Sequence, residues 1–174
     1  MPARAQTTFD GPVDVLNYAL TLEHLEYAFY RDGLEEFAAE DFVDAGFAEV
    51  VYEYLGAIRD HEQEHVETLT QVVTDLGGEP VEEAEYDFGY TDLAGFLAVA
   101  QALEDTGVAA YQGAAGSLID EDELLTAALT IHGVEARHAA YLGGLNGASP
   151  FPEAVNPTLT PDEVLEIAGP FIVS

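Results

Sequence analysis

Apolar residues recur at helical spacing in four long stretches of the chain, and clusters of Gly, Pro and Asp separate them. The first stretch opens at Asp10-Gly11-Pro12 and runs through Leu16, Leu20, Tyr27 and Tyr30 to about Ala39, with Asp10 expected as N-cap and Gly33 as a bend. The second begins near Ala45, carries Val50, Val51, Leu55, Ile58, Leu69, Val72 and Leu76, and stops at Gly77-Gly78. The third starts at Thr91 as N-cap and continues to about Ile119; the fourth covers about Asp120 to Leu142, ahead of Gly143-Gly144. Gly77 to Tyr90, with Pro80, is too long for a tight turn and reads as a crossover. In the tail, Pro150, Pro152, Pro157 and Pro161 forbid a continuing helix, while Thr160-Pro161-Asp162-Glu163 caps a short one ending at Ala168. Two short connections and one long one describe an all-α, antiparallel four-helix bundle over about residues 12–145, followed by a tail with a short helix over 146–174, all in a single domain.

The apolar stripes are interrupted by carboxylates. Glu62 lies on Leu55, Ile58, Glu62, His65, Leu69; Glu135 on Ala128, Ile131, Glu135, His138, Leu142; Glu104 on Leu97, Ala100, Glu104, Val108, Tyr111. Two Glu-x-x-His motifs, Glu62–His65 and Glu135–His138, put each Glu and His on one helix face. The surroundings repeat: Leu22-Glu23 is followed by Ala28 and Tyr30 as Leu103-Glu104 is by Ala109 and Tyr111, and Leu69 follows Glu62 as Leu142 follows Glu135. A helix pair has been duplicated, and pseudo-two-fold packing brings together Glu23, Glu62, His65, Glu104, Glu135 and His138. Four buried carboxylates without counter-charge would each cost several kcal/mol or take up a proton, whereas two divalent cations neutralise them. Carboxylate and imidazole donors with open positions suit two iron ions, or alternatively two manganese ions, better than structural zinc. Glu62 and Glu135 are expected to bridge, with Glu23 and Glu104 terminal; Tyr30 and Tyr111 are expected as core tyrosines whose hydroxyls bond ligand carboxylates.

Other residues compete for roles. Glu26 shares a face with Glu23 and is an alternative ligand. His24, His61 and His132 neighbour ligand positions without sharing their face and are expected to be exposed or ordinarily hydrogen-bonded, and Arg137 to form a surface ion pair. His61-Glu62-Gln63-Glu64-His65 also spells the zinc metalloprotease helix motif, but the second half has Val134 where the first His would stand. A non-catalytic alternative is a structural or stored metal, or a stress protein whose acidic surface holds water.

Charge narrows the partners. Against 34 acidic residues stand four arginines, Arg4, Arg31, Arg59 and Arg137, and no lysine, for a net charge of −30. Such a field repels nucleic acid and anionic membrane, so neither is expected as a partner. Its self-repulsion is screened at about 1 M salt, where the Debye length is about 3 Å, which points to the cytoplasm of a high-salt-adapted organism. Met1-Pro-Ala-Arg-Ala-Gln lacks the apolar stretch of a leader, and no run of 18 apolar residues occurs. Without cysteine, metal is held by oxygen and imidazole alone.

With Glu23 followed seven residues later by Tyr30, and with the two Glu-x-x-His motifs, the chain resembles the ferritin-like superfamily of bacterioferritin, rubrerythrin and manganese catalase. It looks most like the ferritin-like domain of desiccation-related proteins, over roughly residues 12 to 145 and the Thr-Pro-Asp-Glu-Val-Leu tail. The resemblance favours Glu23 over Glu26 as ligand. It implies di-iron oxidation chemistry with dioxygen or peroxide, iron handling or peroxide removal, as a ferroxidase or a manganese-catalase-like enzyme. The chain departs from its relatives in having no internal methionine for haem and no rubredoxin-like cysteines, so an external electron donor is required. Gly107, Gly113, Gly116 and Gly133 imply close backbone packing, so a homo-oligomer is compatible with the chain but a storage cage does not follow.

Overall fold

The computed structural model describes residues 8–173; Met1 to Gln6, on which the leader expectation rests, lie outside them. The chain is all-helical, in the order α1 (Pro12–Glu36), α2 (Ala39–Asp44), α3 (Val50–Asp75), α4 (Leu93–Ala114), α5 (Asp122–Leu145) and α6 (Pro161–Ala168), with short 3₁₀ turns at Ala115–Leu118 and Gly169–Phe171. No described helix is long and apolar enough to cross a membrane.

Four long helices pair as α1 with α3 and α4 with α5. Both pairs are antiparallel. Tyr52, near the start of α3, donates to the Leu34 carbonyl near the end of α1, and Asn146, just beyond α5, donates to the Leu97 carbonyl near the start of α4. The halves meet along α1 and α4, where Phe29 stacks on Phe96 at 4.8 Å within an aromatic cluster that includes Phe88 and Tyr90. Gly33 does not interrupt α1: a Cβ there would run into the Phe96 ring, so this glycine lets α4 approach rather than bending the helix.

Several boundaries differ from expectation. The first helix is capped at Gly11, not Asp10, and ends three residues early because Phe37 turns extended; α2, which the periodicity did not predict, fills the link to α3. Asp92, not Thr91, caps α4, its side chain accepting from the Gly95 amide at 2.7 Å. The second long helix stops as expected: the Gly78 and Gly77 amides donate to the Val73 and Thr74 carbonyls, with Gly77 at φ 78°.

The crossover is tied along its length. Asn17 holds both its Glu79 and Val81 backbone groups, Arg31 pairs with Glu83, and Tyr86 bridges Ile172 of the tail. The tail returns over α4, where the Leu159 amide donates to the Ala109 carbonyl, and Thr160 caps α6 as expected. Of the four glycines expected to mark close packing, Gly113 lies directly against the Leu159 carbonyl and Gly107 against the Glu26 and Glu135 carboxylates. Gly116 and Gly133 face open space, so they serve no such contact.

Candidate metal centre

Each long helix turns one face inward, and on that face the apolar stripe is broken by acid. Glu23 from α1, Glu62 from α3, Glu104 from α4 and Glu135 from α5 have no exposed surface, and His65 and His138 are nearly as buried. Groups drawn from different helices converge. Glu23, Glu62, His65 and Glu135 form one set of four donors, and Glu62, Glu104, Glu135 and His138 another; within each set the donor atoms lie within 4.8 Å of one another. Both sets are of a kind that can hold a metal ion, and Glu62 and Glu135 belong to both.

The imidazoles present their Nδ1 atoms to the cluster. His65 Nδ1 lies 2.9 Å from Glu62 Oε2, 3.0 Å from Glu23 Oε2 and 3.3 Å from Glu135 Oε1. His138 Nδ1 lies 2.9 Å from Glu62 Oε1 and 3.2 Å from Glu104 Oε2, yet makes no aligned hydrogen bond to either. Glu62 Oε1, Glu104 Oε2 and both oxygens of Glu135 are likewise buried without hydrogen-bond partners. Buried polar atoms left unpaired are costly. Close approach without alignment is the arrangement of donors aimed at a common centre rather than at each other, and it fits a cation.

The outer atoms are held by tyrosines. Tyr30 donates to Glu104 Oε1 at 2.6 Å, and Tyr111 donates to Glu23 Oε1. Each reaches from one half of the bundle to the other. Burial, and then the charge of Glu104 for Tyr30 and of Glu23 for Tyr111, pushes both phenols well above their ordinary range, so they remain donors.

Electrostatics in the metal-free cluster are strained toward protonation. Burial, then neighbouring carboxylates, raises Glu62 and Glu104 to about 7 and Glu135 to about 8. Burial alone would lower the two imidazoles. The carboxylates outweigh it and hold His65 protonated up to about 12 and His138 up to about 10. Glu26, also buried, is raised well above the usual range by burial and then by Glu135 and Glu104. A Cβ at Gly107 would sit 2.9 Å from its Oε1, so the absence of a side chain on α4 is what gives this carboxylate room.

The remaining candidates lie around this core. His24 Nε2 is 3.1 Å from the Val81 carbonyl, an ordinary hydrogen bond, and His132 is half-buried with no partner for Nε2. His61 is exposed, as expected, but its role differs: its ring meets the His138 ring edge to edge, centroids 5.2 Å apart and planes 10° apart, with Nδ1 3.0 Å from His138 Nε2. It belongs to neither donor set, whereas the metalloprotease motif requires His61 and His65 on one ion with Glu62 free; here Glu62 is packed within both sets. Arg137 forms no ion pair among the described residues and instead borders the surface beside His61. The His61–His138 contact spans α3 and α5, so no spacing within one helix announces it.

The family model for the ferritin-like domain matches residues 11–148 of the chain. No curated protein matches it.

Proposed function

The chain belongs to the ferritin-like family, and from that premise we propose that its buried cluster is a dinuclear metal centre serving iron handling or peroxide removal under oxidative or desiccation stress. Glu23 and His65 would hold one ion, Glu104 and His138 the other, with Glu62 and Glu135 bridging. The sharing of those two carboxylates between two four-donor sets carries this proposal. Two iron ions there would supply electrons to dioxygen or peroxide, and manganese would instead disproportionate peroxide. The protein's own residues set the conditions. Tyr30 and Tyr111 hold the terminal carboxylates in one orientation, and the aliphatic and aromatic walls keep bulk water from the cluster. With no cysteine in the chain, electrons would come from an external donor. The acidic surface is the reason to place the protein in a high-salt cytoplasm, and the docking of α6 on α4 is the reason to treat bundle and tail as one domain.

Elemental analysis of protein purified in high salt tests the proposal. About two iron or manganese ions per chain are expected. No metal after anaerobic Fe(II) loading would overturn the proposal and leave a metal-free stress or structural protein.

Linkage to protons provides a second check. Glu62, Glu104 and Glu135 have folded-state values raised to about 7, 7 and 8. The stability they contribute is fully present below the ordinary carboxyl range and is lost as pH rises through 7 to 8. The imidazole contribution persists to higher pH because their folded values lie near 10 and 12. Metal-free protein in high salt should therefore melt at lower temperature at pH 8 than at pH 5, whereas metal-loaded protein should not, since cations replace the protons. Parallel pH profiles for the two forms, measured by calorimetry, would contradict this.

A further inference from the structure

The two halves of the bundle repeat closely around the cluster, so the places where they differ are informative. Glu23, His65 and Tyr111 match Glu104, His138 and Tyr30. One departure is His61, whose counterpart by the same offset is Val134. His138 turns Nδ1 to the cluster and its outer Nε2 lies 3.0 Å from His61 Nδ1, so with a cation on Nδ1 the proton would sit on Nε2 and be donated to His61. The two rings lie edge to edge with 10° between their planes, so the in-plane contact fixes the tilt of the His138 ring as well. His65 also turns Nδ1 inward, but among the described residues its Nε2 has no such acceptor, and Val134 borders that side. A hydrogen bond accepted from the outer N–H orients a ligating imidazole and strengthens it as a donor.

The second departure is steric: Glu26 occupies space left by Gly107, its counterpart in the other half, where a Cβ would lie 2.9 Å from Glu26 Oε1 and 3.0 Å from Glu135 Oε2.

We propose that His61 is a positioning residue for His138, and that it makes the position built from Glu62, Glu104, Glu135 and His138 the tighter of the two, filled first, while the His65 position is the exchangeable one. The inference rests on the dinuclear reading of the centre. Titrating metal-free protein with Co(II) in high salt should resolve two binding steps. His61→Ala should weaken the first step roughly 10- to 100-fold and leave the second unmoved. His61→Asn, whose amide oxygen accepts near the position of Nδ1, should recover part of the loss. In histidine-labelled protein, the His138 Nε2–H should exchange with solvent slowly in the native form and fast in His61→Ala, while the His65 ring proton behaves alike in both. A single unresolved step, equal weakening of both steps, or no change in His61→Ala would overturn the proposal while two ions still bind. Failure of the native protein to bind two Co(II) ions would instead sink the dinuclear reading itself, and this inference with it.

Discussion

Glu62→Ala, and separately Glu135→Ala, should each remove both metal ions, taking the content from about two per chain to nearly none. The reason is membership: each of these carboxylates stands in both four-donor sets, whereas Glu23 and Glu104 stand in one each. Glu23→Ala and Glu104→Ala should therefore cost one ion and weaken the other only indirectly. The loss is not confined to a missing donor. Removing Glu62 takes a carboxylate from both His65 and His138, removing Glu135 takes one from His65, and in either case the geometry relaxes around a new cavity. Elemental analysis of the four variants, purified alike, separates the cases. A Glu62→Ala or Glu135→Ala protein that keeps two ions per chain would rule out bridging by that residue.

Gly113→Ala should produce the largest loss of stability available from a single added methyl group. Its Cβ would run into the carbonyl oxygen of Leu159, a backbone atom that cannot swing aside as a side chain can. Relieving the clash means lifting the segment that donates from the Leu159 amide to the Ala109 carbonyl and leads into the capped start of α6. Overpacking of this kind costs about 1 to 3 kcal/mol, and about 2 to 4 °C in melting temperature per kcal/mol for a chain of this size. Gly133→Ala is the matched control. It lies inside α5 with open space around it, so the same methyl should stabilise by up to about 1 kcal/mol through helix propensity. Both proteins should keep their metal. Thermal denaturation in high salt checks the pair; equal melting temperatures for Gly113→Ala and the native protein would contradict the close contact.

The four long helices were legible because their signals are local: apolar spacing, a Pro at the start of α1, paired glycines after α3. The convergence of Glu23, Glu62, His65, Glu104, Glu135 and His138 was legible for a different reason, the repetition of the same surroundings in two halves, which implies a symmetry relation before any coordinate is known. What escaped depends on contacts between segments distant in sequence. That Phe37 ends α1 reflects packing of its ring against Tyr90 of the crossover and Phe96 of α4. The pairing of Tyr86 with Ile172 joins two stretches that each read as loop. His61 looks like a solvated neighbour of Glu62 on its own helix, and only the crossing of α3 and α5 brings it to His138. Arg137 was expected to find a carboxylate on so acidic a surface, but it makes no ion pair among the described residues and borders a surface shared with His61, Tyr54 and Tyr141.

Each donor set takes one carboxylate from the half of the bundle that does not supply its histidine: Glu135 joins the His65 set, and Glu62 the His138 set. Bound metal would therefore act as a cross-link between two cooperative folding units rather than as a cargo within either one. In metal-free protein the α1–α3 and α4–α5 pairs are expected to differ in opening energy, read as two classes of amide exchange. Bound metal should merge those openings into one event, because neither pair could come away without breaking both sets. The slowest-exchanging amides of all four helices then share a single opening energy.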